Sequence, residues 1–177
     1  MNYKEILSFW FEELSSADWW KKSTKLDTVI KDRFLPYLNA AKSGELAHWR
    51  RTAEGRLAEI IILDQFSRNI FRNTPGAFTQ DAQALALTQE AIRLGTHREL
   101  NENQISFMLM PIMHSESKKV HEKYAKYFNT PSGAYDFELK HKKIIDNFGR
   151  YPHRNIILGR PSTQKEIQFL TQPGSSF

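Results

Sequence analysis

The hydrophobic positions of this chain recur at helical spacing from its first residues onward. Ile6, Leu7, Trp10, Phe11 and Leu14 form an i, i+1, i+4, i+5, i+8 stripe, which is typical of the buried face of an amphipathic helix. Further helical segments are predicted over 26–42, 52–71, 79–95, 102–113, 115–128 and 132–148, with a last short one from 162 or 163. No segment alternates strictly as a half-buried strand does, and no Asn-Gly or Asp-Gly pair marks a hairpin. The pattern therefore predicts an all-α fold.

Cap and breaker residues indicate where these helices begin and bend. Thr52 and Thr79 are predicted to cap the helices that follow them, and Thr163 with Glu166 has the spacing of a capping box. Pro36 is predicted to kink or split its helix, because proline removes an internal hydrogen bond.

The predicted helix after Thr52 is more apolar than the other predicted helices. Between 57 and 63 only Glu59 is polar, so this helix is apolar almost all round and is expected at the centre of the fold. The loops are short and no linker divides the chain. We therefore expect one domain, residues 1–177, built of stacked antiparallel helical hairpins.

Composition narrows the functional classes. The 177 residues include no cysteine, which excludes disulfides, thiol nucleophiles and Cys-ligated zinc and agrees with a cytoplasmic protein. The longest apolar stretches lie at 60–63 and 107–113, too short for a bilayer span, and the acidic N-terminal segment does not resemble a signal peptide. We therefore expect no membrane partner.

The net charge is +5, with lysines concentrated at Lys118-Lys119, Lys140 and Lys142-Lys143. These patches lack interleaved aromatic residues and a helix-turn-helix signature, so a nucleic-acid partner is not expected.

Two segments place polar residues in otherwise apolar surroundings. One runs over 64–72 and the other over 148–160, and each contains an aromatic residue, then Arg-Asn-Ile, then a further arginine. An unpaired buried donor costs about 1–3 kcal/mol, so these side chains must find partners. The sequence predicts that the two segments meet in one polar cluster.

Several motifs along the chain resemble the bacterial family called domain of unknown function 924. They are Phe9-Trp10-Phe11, the run from Leu63 to Asn69, Pro111-x-x-His114-Ser115-Glu116, the run from Phe148 to Asn155, and the closing run from Pro173 to Phe177. The resemblance implies an all-α fold of the tetratricopeptide-like superfamily and no established activity. Ser117 and His121 depart from the residues usual in the family, and both lie near His114 and Glu116.

The arginines of the two segments allow a functional and a structural interpretation. Asp64, Arg68 and Arg72 are four residues apart on one helix face, which suits either an anion site or a structural ion-pair network. Pro152 suits the start of a short helix, where nearby cationic side chains could hold an anion or could only fasten a corner to the core.

His114 and Glu116 are a candidate general acid–base pair, although residues two apart on a helix do not face each other. Glu45-x-x-His48 and Glu138-x-x-His141 have a spacing used in metal-binding bundles, but no matching pair of inward carboxylates accompanies them. We therefore expect no metal and no cofactor. His48, His97 and His121 have polar neighbours in sequence and are expected to be solvated.

The leading hypothesis is a helical binding or scaffold protein that recognises a peptide, an acidic partner or a small anion. The alternatives are an enzyme acting on a small anionic substrate and a protein whose polar cluster only holds the fold together. A cleft at the cluster would favour a ligand site, whereas a sealed cluster would favour structure. The oligomeric state is left open. The candidate ligand-binding residues are Asp64, Arg68, Asn69, His114, Glu116, Arg150, His153, Arg154 and Asn155.

Overall fold

The computed structural model describes residues 1–129 and 134–176, and it confirms the all-α prediction. The protein is 72% helical, with no strand in the described residues. The α-helices are α1 (Tyr3–Ser8), α2 (Thr24–Lys42), α3 (Ala53–Ile61), α4 (Ser67–Ile70), α5 (Asp81–Leu94), α6 (Glu102–Met113), α7 (Lys118–Tyr124), α8 (Ala134–Phe148) and α9 (Gln164–Leu170).

One π-helical turn extends an α-helix, and another joins two α-helices. Phe9–Glu13 continues α1, and Ile62–Phe66 joins α3 to α4. A π turn holds one more residue than an α turn, so it changes the direction of the side chains around it, and such turns are frequent at functional sites. Five 3₁₀ turns complete the helical content of the described chain, at Ala47–Arg51, Pro75–Phe78, Thr96–Glu99, Ala125–Phe128 and Pro152–Arg154.

The predicted caps are confirmed at two of three helices. The hydroxyl of Thr52 accepts a hydrogen bond from the Gly55 amide at 3.0 Å, and Thr163 forms a capping box with Glu166. The prediction for Thr79 is wrong, because Thr79 itself has helical backbone angles and its hydroxyl donates to the Gly76 carbonyl.

Other predicted boundaries shift by a turn or less. Pro36 does not split α2, which continues to Lys42. The segment predicted over 115–128 is not helical up to Ser117 and is helical from Lys118 onward, with a 3₁₀ last turn. The predicted start at 132 lies outside the described residues.

The core is centred on α3, as its apolar sequence predicts. Every residue from 57 to 63 is fully buried, and Glu59 is neutralised by two hydrogen bonds from Arg50, at 2.6 and 2.7 Å. Aromatic rings from α2, the two π turns and α6 pack on one another beside this helix. They are Phe9, Trp10, Phe34, Phe66 and Phe107.

A second, smaller apolar cluster lies beneath α8 and α9. Ile144, Ile145 and Tyr151 are buried in it, and Phe148 and Phe169 pack against them. Tyr151 joins the two clusters, since its hydroxyl donates to the Met113 carbonyl at the end of α6. The polar residues predicted from sequence gather near this junction.

Sequence-adjacent helices contact each other at α5 with α6 and at α7 with α8, as hairpins do, while α3 contacts α1, α5 and α6. The finer expectations of a tetratricopeptide-like superhelix and of one domain over 1–177 stay predictions. Among the helices described, none is both long and apolar enough to cross a membrane.

Candidate functional site

A cleft of about 490 Å³ opens at the junction of the two apolar clusters. The Pro75–Phe78 turn and the start of α5 form one wall, and the loop between α6 and α7 forms another. The segment after Tyr151 completes it. The lining residues are Pro75, Phe78, Thr79, Asp81, Ala82, Leu85, His114, Ser115, Glu116, Ser117, Arg154 and Leu158.

Asp64 is a buried carboxylate next to this cleft, and the π turn Ile62–Phe66 carries it. Its side chain is 1% exposed. Oδ1 contacts Nδ1 of His114 at 2.8 Å and Nη1 of Arg68 at 3.0 Å, and Oδ2 accepts from Gln65 at 2.6 Å. Burial alone would raise the pKa of Asp64, but the charges of Arg68 and His114 lower it to about 2. Asp64 is therefore ionised at neutral pH.

His114 ends α6 and faces the cleft with 17% of its side chain exposed. Burial and the neighbouring charge of Arg68 lower its pKa, and Asp64 opposes this shift only in part. A neutral imidazole beside an ionised carboxylate carries its proton on the nitrogen that faces the carboxylate. Nδ1 is therefore the donor to Asp64, and Nε2 is left with a free electron pair. Within the described chain no hydrogen bond reaches Nε2.

Asp81, the first residue of α5, links the two arginine-bearing segments. Its carboxylate contacts Nη1 of Arg68 at 3.0 Å and Nη1 of Arg154 at 3.2 Å. Arg154 also donates to the His114 carbonyl at 3.1 Å. The two segments thus meet in one polar cluster, as the sequence predicts, and Asp81 at the start of α5 connects them. Arg154 is buried, with 6% of its surface exposed, and it has both a carboxylate and a carbonyl partner.

The Arg154 guanidinium lies over two aromatic rings. Its central carbon is 4.7 Å from the ring centre of Phe78 and 4.6 Å from that of Tyr151. Burial and the like charge of Arg68 lower the pKa of Arg154, against the attraction of Asp81 and Glu116. A lowered pKa at a guanidinium means that its surroundings do not fully offset its positive charge.

A second arginine, Arg160, holds the carboxylate of Glu116. Arg160 donates two hydrogen bonds to this carboxylate, at 2.7 and 2.9 Å, and the Tyr151 amide donates a third at 2.8 Å. Burial raises the pKa of Glu116, but the Arg160 and Tyr151 hydrogen bonds lower it overall. Both Glu116 and His114 line the cleft, yet they bond different neighbours, as their spacing in sequence indicates.

Other candidates lie away from the cleft walls. Arg150 makes two hydrogen bonds to Glu166, at 2.7 and 2.9 Å, and so fastens α9. Asn69 and Arg72 both bond Asp27 of α2, while Asn155 donates to Ser162 and accepts from Arg160.

His153 is half-buried, its ring lies 5.6 Å from that of Tyr151, and burial lowers its pKa to about 4. Of the nine sequence candidates, the described cleft lining includes His114, Glu116 and Arg154. Asp64 and Arg68 lie directly behind it.

Three important residues were not among the sequence candidates, namely Phe78, Asp81 and Arg160. Asp81 is an ordinary acidic residue in the first turn of a helix, and Phe78 ends a loop, so neither carries a local signal. Arg160 does carry one, since it closes the polar segment that contains Arg154.

The histidine predictions need two corrections. His97 is half-buried, its ring packs against Tyr127, and burial lowers its pKa. His121 is not solvated but fully buried between α7 and α8, where Nδ1 lies 2.6 Å from Glu138 and Nε2 lies 2.8 Å from the Ser115 carbonyl. Its polar sequence neighbours occupy the outer faces of α7, which a local pattern cannot separate from the inner face. Glu138 and His141 do not act as a pair, because Nδ1 of His141 contacts the Phe137 carbonyl.

A comparison with curated proteins finds no match. Among solved structures, the chain is similar to a protein of unknown function from Agrobacterium tumefaciens. The two share 33% sequence identity and superpose with a TM-score of 0.90, over 95% of this chain and 96% of the other. Residues 6–174 match the family model described as bacterial protein of unknown function (DUF924), and the chain belongs to that family.

Proposed function

We propose that the protein binds a small organic anion, one that carries a carboxylate or phosphate group, in the cleft between Phe78 and Glu116. The observation that carries the proposal is the environment of Arg154. Arg154 lines the cleft, its guanidinium lies over the rings of Phe78 and Tyr151, and it shares its nearest carboxylate with Arg68. A bound anion would supply the negative charge that this position lacks.

The contacts of Arg154 are weaker than those of the neighbouring arginines. Its two hydrogen bonds measure 3.1 and 3.2 Å, whereas Arg160 bonds Glu116 at 2.7 and 2.9 Å and Arg150 bonds Glu166 at 2.7 and 2.9 Å. Charge-assisted bonds between nitrogen and oxygen are typically about 2.7–2.9 Å. Arg154 is therefore the arginine of this cluster whose partners an incoming anion can replace most easily.

The cleft also offers apolar surface to the rest of a ligand. Phe78, Leu85 and Leu158 are among its lining residues. A volume of about 490 Å³ is within the range of about 300–1,000 Å³ typical of small-molecule sites. These dimensions favour a small molecule over an extended peptide. The cysteine-free sequence suits the cytoplasm, where we place the protein and its ligand.

The test is a thermal-shift screen with small carboxylates and phosphates, each over a range of concentrations. A ligand at 100 times its dissociation constant stabilises the folded state by about 2.7 kcal/mol, so the melting temperature rises with concentration. We expect such a rise for the wild type and a loss of it in Arg154→Lys, because lysine cannot keep the planar, stacked arrangement.

Arg33→Lys is the matched control. Arg33 also lies over two aromatic rings and makes two hydrogen bonds to a carboxylate, but it is on α2, away from the cleft. The proposal is wrong if no compound raises the melting temperature, or if Arg154→Lys and Arg33→Lys respond to the ligand as the wild type does.

A further inference from the structure

Asp64 and His114 form a carboxylate–imidazole pair in which only one ring nitrogen is engaged. Nδ1 of His114 lies 2.8 Å from Asp64, and the ring itself lines the cleft. Both oxygens of Asp64 are already bonded, by His114 and Arg68 on one side and by Gln65 on the other. The carboxylate is thus held in place, and it fixes both the orientation of the ring and the position of its proton.

The hydroxyl side chains in the described lining of the cleft are those of Thr79, Ser115 and Ser117, and none of them is hydrogen-bonded to the His114 ring. The chain has no cysteine. The hydroxyl oxygen of Ser115, the nearest serine in sequence, accepts a hydrogen bond from the Ser117 amide, and the residue is 9% exposed. The cleft is open to solvent, so water is the molecule that His114 can activate.

We propose that His114 is a general base for hydrolysis, and that the protein cleaves an ester of a small anionic acid bound in this cleft. The inference rests on the proposed anion site, because Arg154 would hold the anionic group of the substrate. Asp64 is then a positioning residue, which acts through His114.

The step is balanced with water as the co-reactant. Nε2 of His114 takes a proton from water while the water oxygen forms a bond to the acyl carbon. The bond between that carbon and the ester oxygen then breaks. The leaving alcohol takes the proton back from the imidazolium, which restores the neutral ring and releases a carboxylic acid and an alcohol.

The experiment uses 4-nitrophenyl hydrogen succinate, an ester with one carboxylate, and neutral 4-nitrophenyl acetate as its comparison. We expect nitrophenol release with a higher kcat/KM for the anionic ester. His114→Gln should lower kcat by about 100-fold or more, which is the usual contribution of a general base. Succinate should still raise the melting temperature of this variant, because Arg154 is intact.

Asp64→Asn tests the positioning role by removing the carboxylate charge. ¹⁵N NMR of the wild type should show the His114 proton on Nδ1. Because Arg68 donates to the same oxygen, the asparagine should keep its oxygen toward the ring, and loss of the negative charge should lower kcat and the His114 pKa. The wild-type kcat/KM should rise with pH through an inflection that lies below 6.5, since the His114 pKa is lowered from 6.5. The groups that set this pKa from the neighbouring elements are Asp64, Arg68 and Asp81.

His48→Gln, at an exposed histidine outside the cleft lining, is the matched control and should leave turnover unchanged. Binding of succinate without hydrolysis, or hydrolysis unaffected by His114→Gln, overturns this inference and leaves the anion site standing. Absence of both succinate binding and hydrolysis of either ester also overturns this inference, whereas the anion site is decided by the full screen of carboxylates and phosphates. A wild-type proton on Nε2 overturns the role of Asp64, and this measurement needs no variant to fold.

Discussion

At the scale of single residues, the polar cluster is a set of charges that nearly neutralise one another. Arg160 is matched by Glu116, whereas Arg68 and Arg154 share Asp81. Removing one member of a buried pair leaves the other uncompensated, which costs about 3–5 kcal/mol. A substitution in this cluster therefore changes both ligand binding and stability, so the two effects must be measured separately.

The buried pair of His121 and Glu138 is expected to serve stability alone. Nε2 of His121 faces a carbonyl and must donate, so one proton lies between Nδ1 and Glu138. Glu138→Ala removes this partner inside the core and should lower the free energy of unfolding by about 3 kcal/mol. Glu138→Gln should lose clearly less, because its amide can donate to Nδ1 of a neutral ring.

Urea unfolding at constant m-value measures both variants. Glu122→Ala, at an exposed position of α7, is the control and should stay within about 0.5 kcal/mol of the wild type. Equal losses in Glu138→Ala and Glu138→Gln would show that the hydrogen bond to His121 is not the stabilising contact.

At the scale of secondary-structure elements, several residues of the proposed site lie where the chain departs from the regular α-helix. The π turn Ile62–Phe66 carries Asp64, and the Pro75–Phe78 turn carries Phe78 to Arg154. Helix ends contribute too, since His114 ends α6 and Asp81 begins α5. The local irregularities of this fold therefore coincide with the proposed ligand site.

At Gly55 in α3, helix propensity and packing predict opposite effects of a substitution by alanine. Propensity alone predicts that Gly55→Ala stabilises a helix by about 0.5–1 kcal/mol. A Cβ atom at this position would lie 2.1 Å from the Trp49 carbonyl oxygen and 2.9 Å from the Thr52 hydroxyl. We therefore expect Gly55→Ala to destabilise the protein, by about 1–3 kcal/mol, because the backbone must move to relieve the overlap.

Thermal or urea unfolding of Gly55→Ala shows directly whether the substitution raises or lowers the free energy of unfolding. Glu54→Ala introduces the same residue at the exposed preceding position and should change stability by about 0.5 kcal/mol or less. A stabilised Gly55→Ala variant would mean that Trp49 and α3 do not approach as closely as the structure has them.

At the scale of the whole molecule, the shifted groups predict a loss of stability in acid. Burial lowers the pKa of His141 to about 3 and that of His153 to about 4, from 6.5 in the unfolded chain. Between the folded pKa values and 6.5, the unfolded chain binds more protons than the folded protein, so the free energy of unfolding falls as the pH drops below about 6.5. Asp64 and Glu166, with pKa values lowered to about 2, add a further loss below about 4.5.

Urea midpoints at pH 7.0, 5.5 and 4.5 test this expectation. The midpoint should decrease at each step, and His141→Leu should flatten the decrease between pH 6.5 and 4.5 because one titrating group is gone. His48→Gln, at an exposed histidine, should keep the wild-type slope. A midpoint that is constant from pH 7.0 to 4.5 would contradict the burial of these histidines.

The sequence alone determined the helical architecture and the presence of a polar cluster. Helix periodicity and caps depend on residues three or four positions apart, so Thr52, Thr163 and the apolar run at 57–63 could be interpreted locally. The density of arginines near Arg68 and Arg154 likewise showed that partners must exist, because buried donors require them.

Only the tertiary structure decided which residues pair with these arginines and with the other members of the polar cluster. Asp81 meets Arg154 across 73 positions of sequence, and His114 meets Asp64 across 50. Such contacts are set by how helices pack, and one sequence holds no local signal of them. The same reason explains why His121, polar in its sequence surroundings, is buried, and why the cleft opens beside Arg154 and not beside Arg150.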